Sequence, residues 1–223
     1  MRTSLCVFTA CCALGPAALG DVLGFRSWLD TNGFGTNNAS NLWQGRVGSA
    51  TGSFMSSAGT SWVTVGPQFS VPLMGPLINI GGENGAAGPA TFDGLWAHPG
   101  AGVPAVLVFA PQAPTFVDGM TVHSELIANG LSGNGVQFTV YATVGGNTGS
   151  LGTTTLTGVT DRLDVFALPS TTLLNPGDTL SLYISDNGNY LYDHVNFNAV
   201  IAVPAPSSIA LAGVLIAARR RRK

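Results

Sequence analysis

The sequence has 223 residues, of which 45% are hydrophobic and 9% charged, with three cysteines and a formal net charge of −2. Without clustered Lys and Arg in its body, it excludes a nucleic-acid-binding surface, which relies on such clusters to neutralise phosphates. All three cysteines (Cys6, Cys11, Cys12) lie within the first twelve residues, which leaves the rest of the chain without thiol chemistry.

Met1-Arg2, an apolar stretch from Leu5 to Leu14, and the small residues Ala18 and Gly20 have the order of a secretory signal peptide. Residues 1–20 are therefore expected to be removed by signal peptidase before Asp21. A lipoprotein signal ending at Cys11 fits less well, because Phe8 is a poor first residue for a lipobox. Removing this segment and a basic tail leaves Arg26, Arg46 and Arg162 against eleven acids, a net charge of −8 for residues 21–203. Such an acidic body suits divalent cations and neutral sugars.

Residues 21–202 have the length of one domain with a sizeable core. Gly, Thr, Ser, Val and Asn dominate, and runs of helix formers are thin, so the expectation is an all-β antiparallel β-sandwich. From Arg26 to Trp43, aromatics alternate with turn-forming Asn, Asp and Gly, and Gly45 to Gly59 reads as a flexible loop. Strand signals follow at Trp62–Val65, Phe69–Leu73, Leu77–Ile80, Phe92–His98 and Val106–Phe109. After Thr121–Ile127, the period-two alternation of Val136, Phe138, Val140, Ala142 and Val144 with Gln137, Thr139, Tyr141 and Thr143 marks a strand with one buried face. Shorter alternations at Leu163–Ala167, Leu180–Ile184 and Val195–Ile201 complete the body.

The last residues, 203–223, join Val203-Pro204-Ala205-Pro206 to an apolar run from Ile209 to Ala218 and to Arg219, Arg220, Arg221, Arg222 and Lys223. A cationic block after an apolar run holds a chain end on the cytoplasmic side of a membrane. A helix over Ser207–Ala218 would be about 18 Å long at roughly 1.5 Å per residue, short of a hydrocarbon core of about 30 Å, so transient membrane contact is expected. This tripartite order resembles the PEP-CTERM sorting signal of exported bacterial proteins, with Ala205 where the family carries an acid. The resemblance implies an exosortase-type sorting enzyme as partner and a short C-terminal apolar helix. The turn Asn175-Pro176-Gly177-Asp178 and the segment Tyr192-Asp193-His194 resemble the jelly-roll-like bodies of such proteins.

No catalytic motif is present: there is no Gly-x-Ser-x-Gly, no His-Glu-x-x-His and no phosphate-binding loop. The histidines His98, His123 and His194, with Asp93, Glu125 and Asp193, could form a hydrolytic site only if the fold assembled them. Asp186, Asn187, Asn189 and Asp193 offer the hard oxygen ligands that Ca²⁺ takes, although a plain Asn/Gly turn explains them as well; no cofactor is required. Trp28, Trp43 and Trp96 are the candidate sugar-stacking rings, with core packing the commoner role for such residues. The leading expectation is a non-enzymatic exported protein of the cell envelope, cell surface or extracellular matrix, delivered by its C-terminal signal. The alternative is a carbohydrate-binding module recognising extracellular polysaccharide, and a secreted hydrolase comes third.

Overall fold

The computed structural model describes residues 23–58, 61–64, 72–76, 94–126, 134–157, 162–188 and 194–204. Among the described residues, one helix, α1 (Phe25–Asn32), precedes the strands β1 (Trp43–Val47), β2 (Ser56–Ala58), β3 (Ser61–Val63), β4 (Leu73–Pro76), β5 (Leu95–His98) and β6 (Ala105–Phe109). Then follow β7 (Thr115–Leu126), β8 (Val136–Val144), β9 (Asn147–Leu156), β10 (Arg162–Leu174), β11 (Thr179–Asp186) and β12 (Val195–Ala202). They form a five-stranded sheet, β1-β6-β11-β8-β9, and a seven-stranded sheet, β10-β7-β12-β5-β4-β3-β2. Every pairing between these strands is antiparallel.

The alternation in the sequence decides which side of each strand faces the partner sheet. In β8, Val136, Phe138 and Val140 are fully buried while Gln137, Thr139 and Tyr141 stay half-exposed. On β11 and β12, Leu180, Leu182 and Ile184 meet the same core as Val195, Phe197, Ala199 and Ile201. Burying a side chain of this size stabilises the fold by about 1.5–3 kcal/mol, so this shared core outweighs any single polar contact.

The N-terminal part of the described chain closes one side of that core with aromatic rings. Phe25 of α1 lies with its ring centroid 5.5 Å from Trp43, 5.8 Å from Trp62 and 6.1 Å from Phe197. Trp43 in turn meets Phe109 at 5.2 Å. Gly45 is required beneath Trp62, because a Cβ there would lie 2.6 Å from the indole. Asn37 secures the same place by donating from Nδ2 to the carbonyls of Gly45 (2.6 Å) and Met55 (2.9 Å) and accepting the Gly45 N–H at 3.2 Å.

The all-β antiparallel sandwich agrees with the sequence, but two details of the expected fold are corrected. The helix among the described residues lies at Phe25–Asn32, before the strands, and not at the C-terminal end. Its Phe25 and Leu29 recur at i and i+4 and are buried, a spacing hidden among Asn, Asp and Gly in the sequence. The apolar helix expected over Ser207–Ala218 lies outside the described residues, and no described helix is long and apolar enough to cross a membrane. The supposed loop from Gly45 to Gly59 contains the end of β1 and all of β2. The Gly- and Thr-rich β9, with most of its side chains exposed or half-exposed, has no apolar alternation to announce it and forms because β8 offers it an edge. Gly145 and Gly146, at φ +57° and +80°, provide the two left-handed residues of that hairpin turn.

Candidate functional site

The outward face of the five-stranded sheet carries half-exposed aromatic and polar groups of the kinds that meet sugars. Strand register aligns Gln44, Val108, Ser181 and Tyr141 in one cross-strand row, and Arg46, Val106, Tyr183 and Thr139 in the next. Val106, Val108 and Ser181 are fully buried between their larger neighbours, while Tyr141 and Tyr183 are half-exposed. The two tyrosine rings meet edge to face with centroids 5.0 Å apart, a favourable aromatic geometry. Thr139 and Thr153 hydroxyls, 3.0 Å apart, continue the second row onto β9.

One margin of this face is held by the turn from Gly48 to Ser53. The Tyr183 hydroxyl accepts the Ala50 N–H at 2.8 Å. Arg46 donates from Nη1 to the Gly52 carbonyl at 2.8 Å, and from Nε and Nη2 to Gln44 Oε1 at 3.2 and 2.8 Å. Gln44 is anchored by its own amide, which donates to the carbonyls of Ala39 and Asn41. The Phe54 ring stacks on the guanidinium, whose Cζ lies 3.5 Å from the ring centroid. Partial burial lowers the Arg46 pKa from its ordinary value, but a guanidinium stays charged at any physiological pH.

The outward face of the seven-stranded sheet holds a second cluster, closed to solvent. Trp96, Asn196 and Glu125 lie in one cross-strand row, and the Asn196 amide donates to Glu125 Oε1 at 2.7 Å. The His194 ring lies 4.8 Å from His98 and 5.4 Å from Trp96. All five residues are buried, and burial pushes the His194 pKa down to about 4, so this imidazole is neutral at pH 7. The fold thus brings His98 and His194 together, shut away from solvent, with Glu125 bonded to Asn196 on the same face. His123 sits half-buried on β7, and Asp93 and Asp193 lie outside the described residues. Among the described residues, no group of three His, Cys, Asp or Glu side chains could hold a metal ion.

The tryptophans singled out from sequence are mostly core. Trp43 is fully buried and Trp96 is 7% exposed, so their faces are covered by protein and cannot stack on a sugar. Trp28 is half-buried, 6.1 Å from Trp62. Of the residues proposed for Ca²⁺, Asp186 accepts the Gly102 N–H at 3.2 Å. Asn187 donates to the Asn134 carbonyl at 3.0 Å, while the Asn134 amide donates back to the Asn187 carbonyl. Asn189 and Asp193 lie outside the described residues. Val203 and Pro204 follow β12 directly, whereas Ala205, Pro206 and the basic tail lie outside the described residues, as does the leader. Sequence reasoning passed over Tyr141, Tyr183, Gln44 and Arg46. The available signal was two tyrosines at the polar positions of two alternating strands, but nothing in the sequence says that those strands are neighbours.

No protein-family model and no curated protein matches the sequence. Solved structures of similar shape include the CBM51-2 and INT domains of Clostridium perfringens ZmpB (TM-score 0.34, 13% identity), a match that covers 49% of this chain and 22% of that one. A CBM51 domain from a Clostridium perfringens protein, solved in complex with methyl-galactose, is similar at TM-score 0.31 and 17% identity over 48% of this chain and 69% of its own. A xylan-binding module, CBM15, is similar at TM-score 0.35 and 13% identity over 75% and 95%. No residue role passes from these structures to this chain. Other structures of comparable likeness include a xylanase and a bacteriophage tailspike domain, and the expectation of an envelope or matrix protein delivered by an exosortase-processed signal is not carried further.

Proposed function

We propose that this protein is a carbohydrate-binding module that recognises polysaccharide outside the cell. The observation that carries the reading is the pair Tyr141 and Tyr183, half-exposed, in edge-to-face contact, and set among Arg46, Thr139 and Gln137 on one sheet face. A ring face packs against the C–H face of a pyranose, while amides, hydroxyls and a guanidinium bond its hydroxyls. These groups stand on neighbouring strands of a hydrogen-bonded sheet, so little side-chain freedom is lost on binding. A sheet face of this kind suits contact along a polymer more than enclosure of a small molecule.

Affinity electrophoresis of the full chain through gels containing different polysaccharides, followed by calorimetry on any that retard it, tests the reading. Tyr141→Ala is expected to weaken retardation at least tenfold while leaving the thermal transition in place. A folded wild-type protein that no polysaccharide retards would end the proposal, and binding unaffected by Tyr141→Ala would remove it from this face.

A further inference from the structure

The charge on this face is unusual for the body that carries it. The body carries a net charge of −8 and three arginines, two of which are paired with carboxylates: Arg26 with Asp30 at 3.1 Å and Arg162 with Asp164 at 2.9 Å. Arg46 differs. Among the described residues it has no carboxylate partner, and its three directed N–H groups go to the neutral oxygens of Gln44 and Gly52. A guanidinium has five N–H donors, so Nη1 and Nη2 each retain one. Phe54 stacked against one face and Gln44 bonded along one edge hold the group in place without neutralising it.

The surroundings favour an anion at that point. Across the four outward rows of the five-stranded sheet, from Thr179, Thr143 and Thr148 at one end to Ser185, Gln137 and Thr155 at the other, the registered positions hold no Asp or Glu. Two acids at the ends of β11 face backbone N–H groups instead: Asp178 takes those of Gly145 and Asn175, and Asp186 takes that of Gly102. Salt screens interactions between exposed charges beyond about 8 Å at physiological ionic strength. On these registered rows the charged side chain is Arg46, although the protein as a whole is acidic.

Building on the carbohydrate reading of this face, we infer that it selects acidic polysaccharides, with Arg46 receiving the carboxylate of a uronic acid while Tyr141 and Tyr183 pack on the sugar rings. This sharpens the view, taken from net charge alone, that the body suits neutral sugars. The deciding quantity is the local charge of the binding face.

The test compares uronate polymers with the same polymers after chemical reduction of their carboxyl groups. Polygalacturonate, alginate and glucuronoxylan, each paired with its carboxyl-reduced form, are titrated against the full chain in 20 mM and 300 mM salt. The expected result is at least tenfold tighter binding of one or more acidic forms, diminished by salt. Arg46→Gln is expected to abolish the preference while retaining residual binding, and Arg46→Lys to restore part of it; thermal denaturation of both variants reports folding. Equal binding of acidic and reduced polymers, or a preference that survives Arg46→Gln, would overturn the inference and leave the carbohydrate reading standing. Binding of neither form, with none to a wider neutral panel, would overturn both.

Discussion

The hydroxyl of Tyr183, on β11, accepts the backbone N–H of Ala50 at 2.8 Å, tying the turn after β1 to the centre of the five-stranded sheet 133 residues away in sequence. The contact joins the margin of the proposed sugar face to one of its two rings. Tyr183→Phe keeps the ring and removes this bond, at a cost of about 1 kcal/mol. Amide hydrogen exchange at Ala50 is expected to speed up markedly, with polysaccharide affinity changed only a few-fold. Unchanged exchange at Ala50 would show that the bond does not hold the turn.

Gly45 and Trp62 share space that a side chain at position 45 would occupy. A Cβ there would come within 2.6 Å of the indole Cε3, and Trp62 is fully buried against Phe25, Trp28 and Phe34. Gly45→Ala is therefore expected to lower stability by about 1–3 kcal/mol, the usual cost of overpacking. Urea denaturation with tryptophan fluorescence as readout measures it, and a midpoint equal to wild type would contradict the packing described.

His194 makes stability depend on pH in a defined direction. Burial holds its pKa near 4 in the folded protein, against about 6.5 when unfolded. Between these values the unfolded chain binds a proton that the native state refuses, so stability falls as pH drops from about 6.5 towards 4 and is fully present above that window. The loss from this group is of the order of 3 kcal/mol. Its ring neighbours include His98 at 4.8 Å and Trp96 at 5.4 Å. His194→Gln is expected to flatten the thermal midpoint between pH 6.5 and 4.5 relative to wild type.

Asp178 acts at lower pH. Its carboxylate accepts the N–H groups of Gly145 at 2.7 Å and Asn175 at 2.8 Å, and these backbone bonds hold its pKa below the ordinary carboxylate value, that from Asn175 foremost. A depressed carboxylate stabilises the fold above its unfolded pKa of about 3.9, and that stability drains away as pH falls through the lower folded value. Asp178→Ala is expected to cost about 1–3 kcal/mol at pH 7 and much less at pH 2. A cost independent of pH would assign the effect to packing instead.

The strands that announce themselves in the sequence are those with apolar residues at every second position, such as β8, β11 and β12, whose inward sets Val136/Phe138/Val140, Leu180/Leu182/Ile184 and Val195/Phe197/Ala199/Ile201 were all legible. Strands such as β1 and β9 were not, because Gly45 sits in β1 where Trp62 fills the space, and β9 keeps most of its Thr, Ser and Gly in contact with water. The burial of tryptophans was hidden for a related reason. An indole among Asn and Gly looks exposed in one dimension, yet Trp43 and Trp62 converge on Phe25 from separate strands to build the core.

By itself the sequence determined the fold class, the absence of thiol chemistry in the body and the inward face of each alternating strand, because these depend on composition and on neighbours two residues apart. Which outward residues meet was decided by strand order. Tyr141 and Tyr183 lie on the adjacent strands β8 and β11, and Arg46 and Tyr183 fall in one row across β1, β6 and β11. Antiparallel register between distant segments sets these contacts, and it is chosen by burial of the opposite face. The candidate binding surface is thus a consequence of how the core packs, carried on the side of the sheet that the core does not use.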